Sequence, residues 1–198
     1  AAAARVTAAP LTIACWLFPD VLTAAMQMFS IDNGTSDEMF SVFYDGSGTD
    51  NIRAVIRTGA AQSQAVTSTS ISSSAWHHVC GVFSASNARA AYLNGGGKGT
   101  NADSKTPSGI NRTQIGCLNS ASQFTNGKLA ELGMWSAALT DAEVALLAAG
   151  FSPMLIRPDA LEVYVPLLGN DSPELDKVGG LSFTLTSAPV KAVHPRVV

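Results

Sequence analysis

The stretch 76–95 carries the pattern of a β-hairpin, and it limits the fold more than any other part of the chain. Residues 76–83 are apolar enough for a strand, residues 84–87 are polar and turn-forming, and residues 89–93 return as a second apolar run. Asn94-Gly95 then supplies a dipeptide that favours a type I′ turn. Runs joined in this way pair in opposite directions, so the sequence predicts antiparallel β structure.

Short apolar runs separated by turn residues continue on both sides of this hairpin. Because no long helix intervenes to support a parallel sheet, the spacing predicts an all-β fold, an antiparallel jelly-roll β-sandwich. Residues 60–75 are predicted as a weak, polar-faced strand and a loop, and the glycine-rich residues 95–109 as a flexible rim loop. The other predicted strands are 12–18, 26–31, 39–44, 52–57, 114–118 and 127–135.

One short helix is predicted at about 140–149, and it divides the chain. Thr140 and Glu143 have the spacing of a capping box, and Gly150 is placed to end the helix. Residues 1–150 are the predicted core and residues 151–198 a C-terminal extension with strands at 161–168 and 181–185. Because an exposed sheet edge accepts an added strand, we expect the extension to complete its own sandwich or to contact a neighbouring subunit.

The composition excludes several classes of protein. Of the 198 residues, 46% are hydrophobic and only 14% are charged, which excludes a disordered chain. The net charge is -3 and the basic residues are scattered singly, so nucleic acid is not an expected partner. No apolar run approaches the roughly 18 residues that span a bilayer, so we expect no membrane partner.

Three segments resemble the laminin G-like domain, a member of the concanavalin A-like jelly-roll group. Trp-His-His-Val at 76–79 leading to Tyr-Leu-Asn-Gly at 92–95 resembles the signature hairpin of that family. Residues 127–135 resemble its Gly-x-Ile-x-Glu-x-x-x-Trp strand, and residues 138–147 resemble its Ala-Leu-Thr-x-x-Glu helix. The resemblance implies the same sandwich, and it identifies a scaffold more than a chemistry.

The spacing of the acidic residues does not favour glycosidase activity. The concanavalin A-like group also includes laminarinase-type glycosidases. Their retaining members need two carboxyl groups about 5 to 5.5 Å apart. On a strand, acidic residues at positions i and i+2 or i+4 lie on one face and could supply them. No Glu-x-Asp-x-Glu run is present, and Glu131 stands alone in its strand. Asp141 and Glu143 fall on the helix cap, whereas Glu174 and Asp176 fall in a loop. We therefore predict no catalytic residue and no enzyme.

The histidines do not form a predicted metal or acid–base site. His77 and His78 are adjacent on a strand, so their side chains point to opposite faces. His78 shares a face with Trp76 and Cys80, and we predict a hydrogen-bonded structural histidine there. His194, near the C-terminus, completes no Ser-His-Asp order.

Oxygen-rich turns leave calcium as an alternative cofactor. The resemblance implies this possibility, because many laminin G-like relatives bind calcium at loop rims through acid, amide and carbonyl oxygens. No EF-hand spacing is present, and the tendency of Asp and Asn to form turns explains these residues without a metal. We predict no metal-binding or cofactor-binding residue, with calcium as the alternative. The residues concerned are Asp32, Asn33, Asp37, Glu38, Asp45 and Asp50.

The cysteines are predicted as buried residues and the tryptophans as residues of apolar strands. The three cysteines lie in apolar runs without zinc spacing, which indicates buried free thiols in a protein folded in a reducing cytoplasm. The three tryptophans also lie in apolar strands, which argues against an exposed aromatic platform for a sugar. These residues are Cys15, Cys80, Cys117, Trp16, Trp76 and Trp135.

Together these expectations describe a non-enzymatic structural protein. The core, the helix and the Gly-Phe-Ser-Pro and Ile-Arg-Pro linker resemble small jelly-roll proteins encoded among phage virion genes. That resemblance implies a virion accessory component assembled in the host cytoplasm, either a capsid decoration or cement protein or a tail-associated protein. Its expected partners are the major capsid protein, other virion proteins and further copies of itself. The alternative is a carbohydrate- or cell-surface-binding lectin-like module, calcium-assisted, with a glycan as ligand.

Overall fold

Two six-stranded antiparallel sheets face each other, and one short helix lies on the outside of the second sheet. This computed structural model describes residues 1–46, 48–118, 122–169, 172–185, 193–195 and 197–198. The predicted all-β antiparallel sandwich with one short helix is confirmed. The strands are β1 Ala2–Ala3, β2 Leu11–Pro19, β3 Met26–Asp32, β4 Glu38–Tyr44, β5 Ile52–Thr58, β6 Ala61–Val66, β7 His77–Ala85, β8 Ala88–Leu93, β9 Gly96–Asn101, β10 Arg112–Ile115, β11 Gly127–Trp135, β12 Leu161–Val165, β13 Glu174–Leu175 and β14 Ser182–Phe183.

Strand alternation produces two apolar layers. The first sheet has the order β1-β10-β3-β4-β5-β6 and the second the order β12-β11-β2-β7-β8-β9. The main core lies between them and includes Ile13, Phe29 and Phe83, which are fully buried. A second cluster lies on the outer face of the second sheet, where Trp135 packs with Val144 of the helix. The second sheet is therefore apolar on both faces over part of its area.

The hairpin of β7 and β8 forms as predicted. Cys80 lies opposite Tyr92 in its antiparallel register. Asn94 and Gly95 have φ angles of 52° and 74°, the left-handed conformation that a type I′ turn requires. The following strand, β9, begins directly after this turn.

The helix α1, Asp141–Ala148, forms with the predicted capping box. The Thr140 backbone amide donates to Oε2 of Glu143 over 2.7 Å, and the Glu143 amide donates to Oγ1 of Thr140 over 3.3 Å. Val144 and Leu147 are its buried residues. The cap places the N-terminus of α1 beside β8 and β9, where Asp141 contacts Tyr92 and Lys98.

The prediction of a flexible rim loop at 95–109 is wrong over residues 96–101, which form β9 and pair with β8. Glycine is needed here because the two sheets come close together at this edge. A Cβ on Gly99 would overlap the carbonyl oxygen of Val66, and one on Gly97 would overlap Oγ1 of Thr69. The glycines that suggested a loop are the residues that allow a strand to fit.

The C-terminal extension contributes an edge strand to the second sheet. β12 pairs antiparallel with β11, and β13 pairs with β14 in a separate two-stranded sheet. At the end of the chain, the Ser152 amide donates to the Val198 carbonyl and the Val198 amide donates to the Gly150 carbonyl. Contact of the extension with a neighbouring subunit stays a prediction. In the described part of the chain, no helix is long and apolar enough to cross a membrane.

Candidate functional site: an open cleft beside the helix

An open cleft lies on the outer face of the second sheet, next to the N-terminus of α1. Its volume is about 670 Å³, within the roughly 300–1,000 Å³ typical of ligand pockets. Strands β7, β8 and β9 form the floor, and the start of α1 forms one wall. The lining residues are Val82, Ser84, Asn87, Ala88, Arg89, Ala90, Tyr92, Lys98, Thr100, Asn101, Ala102, Leu139 and Asp141.

The local sequence explains why this part of the face is open. Alternation directs Ala90 and Tyr92 of β8 to the outer face, together with Lys98 and Thr100 of the neighbouring strand β9. Where these side chains are small, as at Ala90, they leave space above the sheet, and this space is the cleft. The helix covers the other end of β8, where a Cβ on Gly95 would contact Ala145 and Ala148.

A tyrosine, an aspartate and a lysine form one wall of the cleft. The Tyr92 hydroxyl donates to Oδ1 of Asp141 over 2.7 Å, and Lys98 Nζ lies 2.8 and 3.0 Å from the two Asp141 oxygens. Burial and the hydrogen bond to Asp141 raise the pKa of Tyr92 to about 12. The hydrogen bonds from Lys98 and Tyr92 lower the pKa of Asp141. This wall therefore presents an ionised carboxylate paired with a cation, and its net charge is zero.

A buried arginine stiffens the opposite end of the cleft. Arg89 is 3% exposed, and its Nη1 donates to Oδ1 of Asn101 over 2.8 Å. Its Nη2 donates to the carbonyl oxygens of Ser86 and Asp103. These bonds join β8, β9 and the turn at Ser86, so the polar rim is held in place without a ligand.

The cleft could not be predicted from the sequence, because three of its polar residues, Lys98, Thr100 and Asn101, fall in the segment predicted as a loop. Gly97-Lys98-Gly99-Thr100 alternates small and polar residues, with the glycines facing the first sheet and the polar residues facing the cleft. This period of two is the signal that could have identified a strand. The contact of Asp141 with Tyr92 joins residues 49 positions apart and has no local signature.

The structure keeps the other candidate carboxylates away from the cleft. Glu143 accepts hydrogen bonds from Arg157, and Glu174 accepts one from the Gly169 amide. Asp176 accepts bonds from the amides of Tyr164, Val178 and Leu181. Among the lining residues in the described part of the chain, Asp141 is the only carboxylate.

Glu131 lies buried at a bulge of β11. Its φ angle is 52°, and the register of β11 shifts at this point. The Tyr164 hydroxyl donates to its Oε2 over 2.7 Å, and His194 Nε2 lies 3.4 Å from its Oε1. Burial raises the pKa of Glu131. The carboxylate therefore joins β11 to β12 and to the C-terminal residues.

The two adjacent histidines occupy different environments. His77 Nε2 lies 3.2 Å from Oγ of Ser72, and its Nδ1 lies 3.2 Å from Nδ2 of Asn94. His78 is 2% exposed and lies edge-on to Trp16, with ring centroids 5.6 Å apart. Its Nδ1 has no hydrogen-bond partner among the described residues, so the predicted hydrogen-bonded side chain is not observed at that atom.

Acid is expected to destabilise the fold through His78. Burial lowers the pKa of His78 to about 3, whereas an unfolded histidine titrates near 6.5. Since the unfolded chain binds the proton more readily in this window, the free energy of unfolding falls as the pH falls. The expected slope from this group is about 1.4 kcal/mol per pH unit between about pH 6 and pH 4.

The test compares the wild type with His78→Phe, which keeps a ring beside Trp16 but cannot be protonated. Urea unfolding at several pH values should give a shallower acid decline for the variant, and the difference isolates this histidine from the carboxylates. Parallel pH profiles for the two proteins would rule out the assigned role.

The side chains considered as calcium ligands make hydrogen bonds or ion pairs with other groups of the protein. Asp32 is fully buried and accepts bonds from four donors, including Arg112 and Gln114. Glu38 accepts bonds from the amides of Gly59 and Ser108. Among the described residues, no group of three or more His, Cys, Asp or Glu side chains is arranged to hold a metal ion. The remaining contacts are Asn33 with Thr35, Asp37 with Arg57, Asp45 with Arg53, and Asp50 with Tyr44.

Two cysteines are buried as predicted, and the third is not. Burial raises the pKa of Cys15 to about 12 and raises the pKa of Cys80 as well. Cys117 is only half-buried, because it follows β10 in a turn instead of lying within a strand.

The three tryptophans, predicted within apolar strands, differ in burial. Trp135 is fully buried, and its Nε1 donates to the Ile156 carbonyl over 2.7 Å. Trp16 and Trp76 are only partly buried, because they lie on the outer face of the second sheet outside the cluster that packs under α1. Strand alternation identifies the two faces but not which part of a face is covered.

Comparisons with known proteins agree with this architecture. The Laminin_G_3 family model, described as Concanavalin A-like lectin/glucanases superfamily, matches residues 1–145. A comparison with curated proteins gave no match. Many solved structures match, and they include lectin-type and carbohydrate-binding domains.

Three of these structures illustrate the likeness. Domain 4 of an extracellular arabinanase from Geobacillus stearothermophilus, in complex with arabinotriose, has a TM-score of 0.62 at 20% identity and covers 74% of this chain and 69% of its own. The CBM40 domain of the Ruminococcus gnavus IT-sialidase, bound to α2,3-sialyllactose, has a TM-score of 0.58 at 14% identity, with coverages of 72% and 84%. The enzymatically active domain of tailspike protein 2 from bacteriophage CBA120 has a TM-score of 0.59 at 14% identity, with coverages of 83% and 28%. At these identities the likeness shows the fold alone.

Proposed function

Because the chain belongs to the Laminin_G_3 family of the concanavalin A-like lectin/glucanase superfamily, we propose that it is a non-catalytic protein that binds a carbohydrate in the cleft beside its helix. The observation that supports this proposal is the polar lining of a cleft of about 670 Å³, in which Lys98 pairs with Asp141 and Arg89 is held by Asn101 and the Ser86 carbonyl. Hydroxyl and amide groups of Ser84, Asn87 and Thr100 line it. Each sugar hydroxyl both donates and accepts hydrogen bonds, so such neutral groups match a glycan better than a charged ligand.

The cleft favours binding over hydrolysis. Glycosidases place two carboxyl groups on either side of the scissile bond, and one of them must be protonated to act as the acid. Among the described lining residues Asp141 is the sole carboxylate, and its lowered pKa keeps it ionised at neutral pH. A bound glycan would therefore be held without being cleaved.

A panel of immobilised oligosaccharides tests the proposal, and it should include arabinotriose and α2,3-sialyllactose. We expect retention on at least one glycan, equal with and without chelator, and no release of reducing ends. Lys98→Ala removes a donor from the wall and should weaken binding about tenfold, equivalent to about 1.4 kcal/mol. Thr100→Phe fills the cleft from an exposed position of an edge strand and should abolish binding.

Matched variants outside the cleft control for indirect effects. Lys177→Ala and Thr184→Phe change exposed residues of the same types in the C-terminal extension, and binding should be unaffected. Retention that survives both Lys98→Ala and Thr100→Phe, or no retention on any glycan, would refute the cleft assignment.

A second candidate function is a structural role in a phage virion. The observation that favours it is a set of exposed apolar residues in α1 and in the segment that follows it, which suits a subunit contact. We propose that these residues contact other virion proteins, such as the major capsid protein, or further copies of this chain during assembly in the host cytoplasm. They are Leu146, Phe151, Met154 and Leu155, which are 40%, 38%, 50% and 60% exposed.

Light scattering and particle sedimentation test this second role. We expect the purified chain to form a closed oligomer or to sediment with phage particles, and Leu155→Asp to weaken whichever association occurs. A monomer that never sediments with particles would contradict it.

A further inference from the structure

A second half-exposed surface lies on the same sheet face, at the end away from the cleft. Trp16 and Phe18 are two residues apart on β2, so they project from the same face, and Trp76 flanks the start of β7 beside them. All three side chains are half-buried, so part of each ring reaches solvent. We call these three residues the aromatic platform.

Ring contacts hold the platform in one arrangement. Phe18 and Trp76 meet edge-to-face, with centroids 5.6 Å apart and planes at 67°. Trp16 meets the buried ring of His78 in the same manner, at 5.6 Å and 69°. Aromatic rings in this geometry attract each other through the positive edge of one and the negative face of the other, so these rings need no ligand to be ordered.

The rim of the platform is polar and electrically balanced. Lys128 Nζ lies 4.1 Å from the centre of the Phe18 ring and 2.7 Å from Oδ1 of Asp20. Both side chains are partly exposed, with 35% of Lys128 and 50% of Asp20 accessible. They offer one donor group and one acceptor group next to an apolar surface.

We propose that the aromatic platform is a second binding site, for a neutral pyranose ring of a glycan. A pyranose with equatorial hydroxyls has apolar C–H faces and a polar edge, so its face packs on an aromatic ring while its hydroxyls reach the rim. The opposite charges of Lys128 and Asp20 cancel, which favours a neutral sugar over an anionic one. The site deepens the proposed function and rests on it only for the ligand class.

The platform and the cleft are separate sites. Trp76 precedes Val82 of the cleft floor by six positions in an extended segment, which places them about 20 Å apart. Helix α1 contacts β7 and lies over the Gly95 end of β8, beside the platform and away from the cleft floor. Two sites on one face would allow two sugars of a glycan-covered surface to be bound together, which strengthens attachment through effective concentration.

Tryptophan fluorescence tests the platform directly with cellotriose, a neutral trisaccharide with equatorial hydroxyls. Trp16 and Trp76 are partly exposed, whereas Trp135 is fully buried and serves as an internal reference. Saturating cellotriose should lower the acrylamide quenching constant of the wild type by about twofold, because a bound sugar covers most of the accessible ring surface. Trp76→Ala should weaken cellotriose binding about tenfold, whereas Trp76→Phe should retain most of it.

The cleft variant Thr100→Phe separates this proposal from the proposed function. Protection of the tryptophans from acrylamide by cellotriose that persists in Thr100→Phe and disappears in Trp76→Ala supports the platform. Protection lost in Thr100→Phe but kept in Trp76→Ala overturns the platform and leaves the cleft assignment intact. The absence of protection in the wild type also overturns the platform. If Trp76→Ala does not give the wild-type circular dichroism spectrum, Phe18→Ala replaces it as the test. A Phe18→Ala protein that folds and binds cellotriose normally then overturns the platform as well.

Discussion

Replacing Asp32 by alanine is expected to lower the free energy of unfolding by about 3–5 kcal/mol, because it removes the fully buried acceptor of a partly buried ion pair and of three further hydrogen bonds. The Asp32 carboxylate is fully buried and accepts hydrogen bonds from Arg112 Nε over 2.8 Å and from Gln114 Nε2 over 2.6 Å. Ser30 Oγ and the Gly34 amide donate to it over 3.0 and 2.9 Å. The variant would leave these donors of β3, of β10 and of the turn at Gly34 without their common acceptor.

Asp37→Ala is the matched control for this prediction. Asp37 lies in the same acidic segment, but its side chain is 58% exposed and lies 3.9 Å from Arg57. A surface pair of this kind contributes about 0–1 kcal/mol, so the variant should unfold nearly as the wild type does. Urea titrations of the three proteins give the comparison. Equal losses for Asp32→Ala and Asp37→Ala would show that the buried network is not the stabilising feature.

The same protein pair tests the calcium alternative. Since protein donors surround the Asp32 carboxylate, we expect the melting temperature of the wild type to be the same with calcium and with chelator. A rise in melting temperature with calcium that Asp32→Ala or Asp37→Ala abolishes would instead support a metal at this turn.

Replacing Trp135 by alanine is expected to cost about 3–5 kcal/mol, the range for removing a large aromatic residue from a core. Trp135 is fully buried in the outer cluster with Leu139, Val144 and Leu147. Its Nε1 also donates to the Ile156 carbonyl over 2.7 Å, which connects β11 to the C-terminal extension. The variant would remove the contact that holds both α1 and the extension on the sheet.

Two further variants separate packing from the hydrogen bond. Trp135→Phe keeps most of the ring volume but loses the indole donor, so its loss should be smaller than that of Trp135→Ala. Trp76→Ala removes a half-buried tryptophan and should cost less than either core variant. Guanidinium unfolding followed by far-ultraviolet circular dichroism measures all three. A loss below about 1 kcal/mol for Trp135→Ala would contradict the assigned packing role.

The sequence predicted the elements that local signals define. Asn94-Gly95 marks the turn after β8, and the spacing of Thr140 and Glu143 marks the start of α1. Both signals act over a few residues, so they are visible without knowledge of the fold. The alternation of apolar residues likewise predicted the strands that form the core.

The candidate site could not be predicted in the same way, because it depends on what lies over each face. β9 was missed since the need for Gly99 comes from Val66 on the other sheet. The partial exposure of Trp16 depends on which part of the sheet α1 covers, and the alternation of residues along a strand does not contain that information. The contact of Asp141 with Lys98 likewise joins the helix to a strand 43 positions earlier.

The central claim is that a glycan binds in the cleft between β7, β8, β9 and the start of α1. The most direct test is a two-dimensional amide NMR titration with the glycan that the panel identifies. We predict that the largest chemical-shift changes occur at Ser84, Asn87, Lys98 and Thr100, and that Thr100→Phe removes them. Changes confined to the first sheet, with none among these four residues, would contradict the claim.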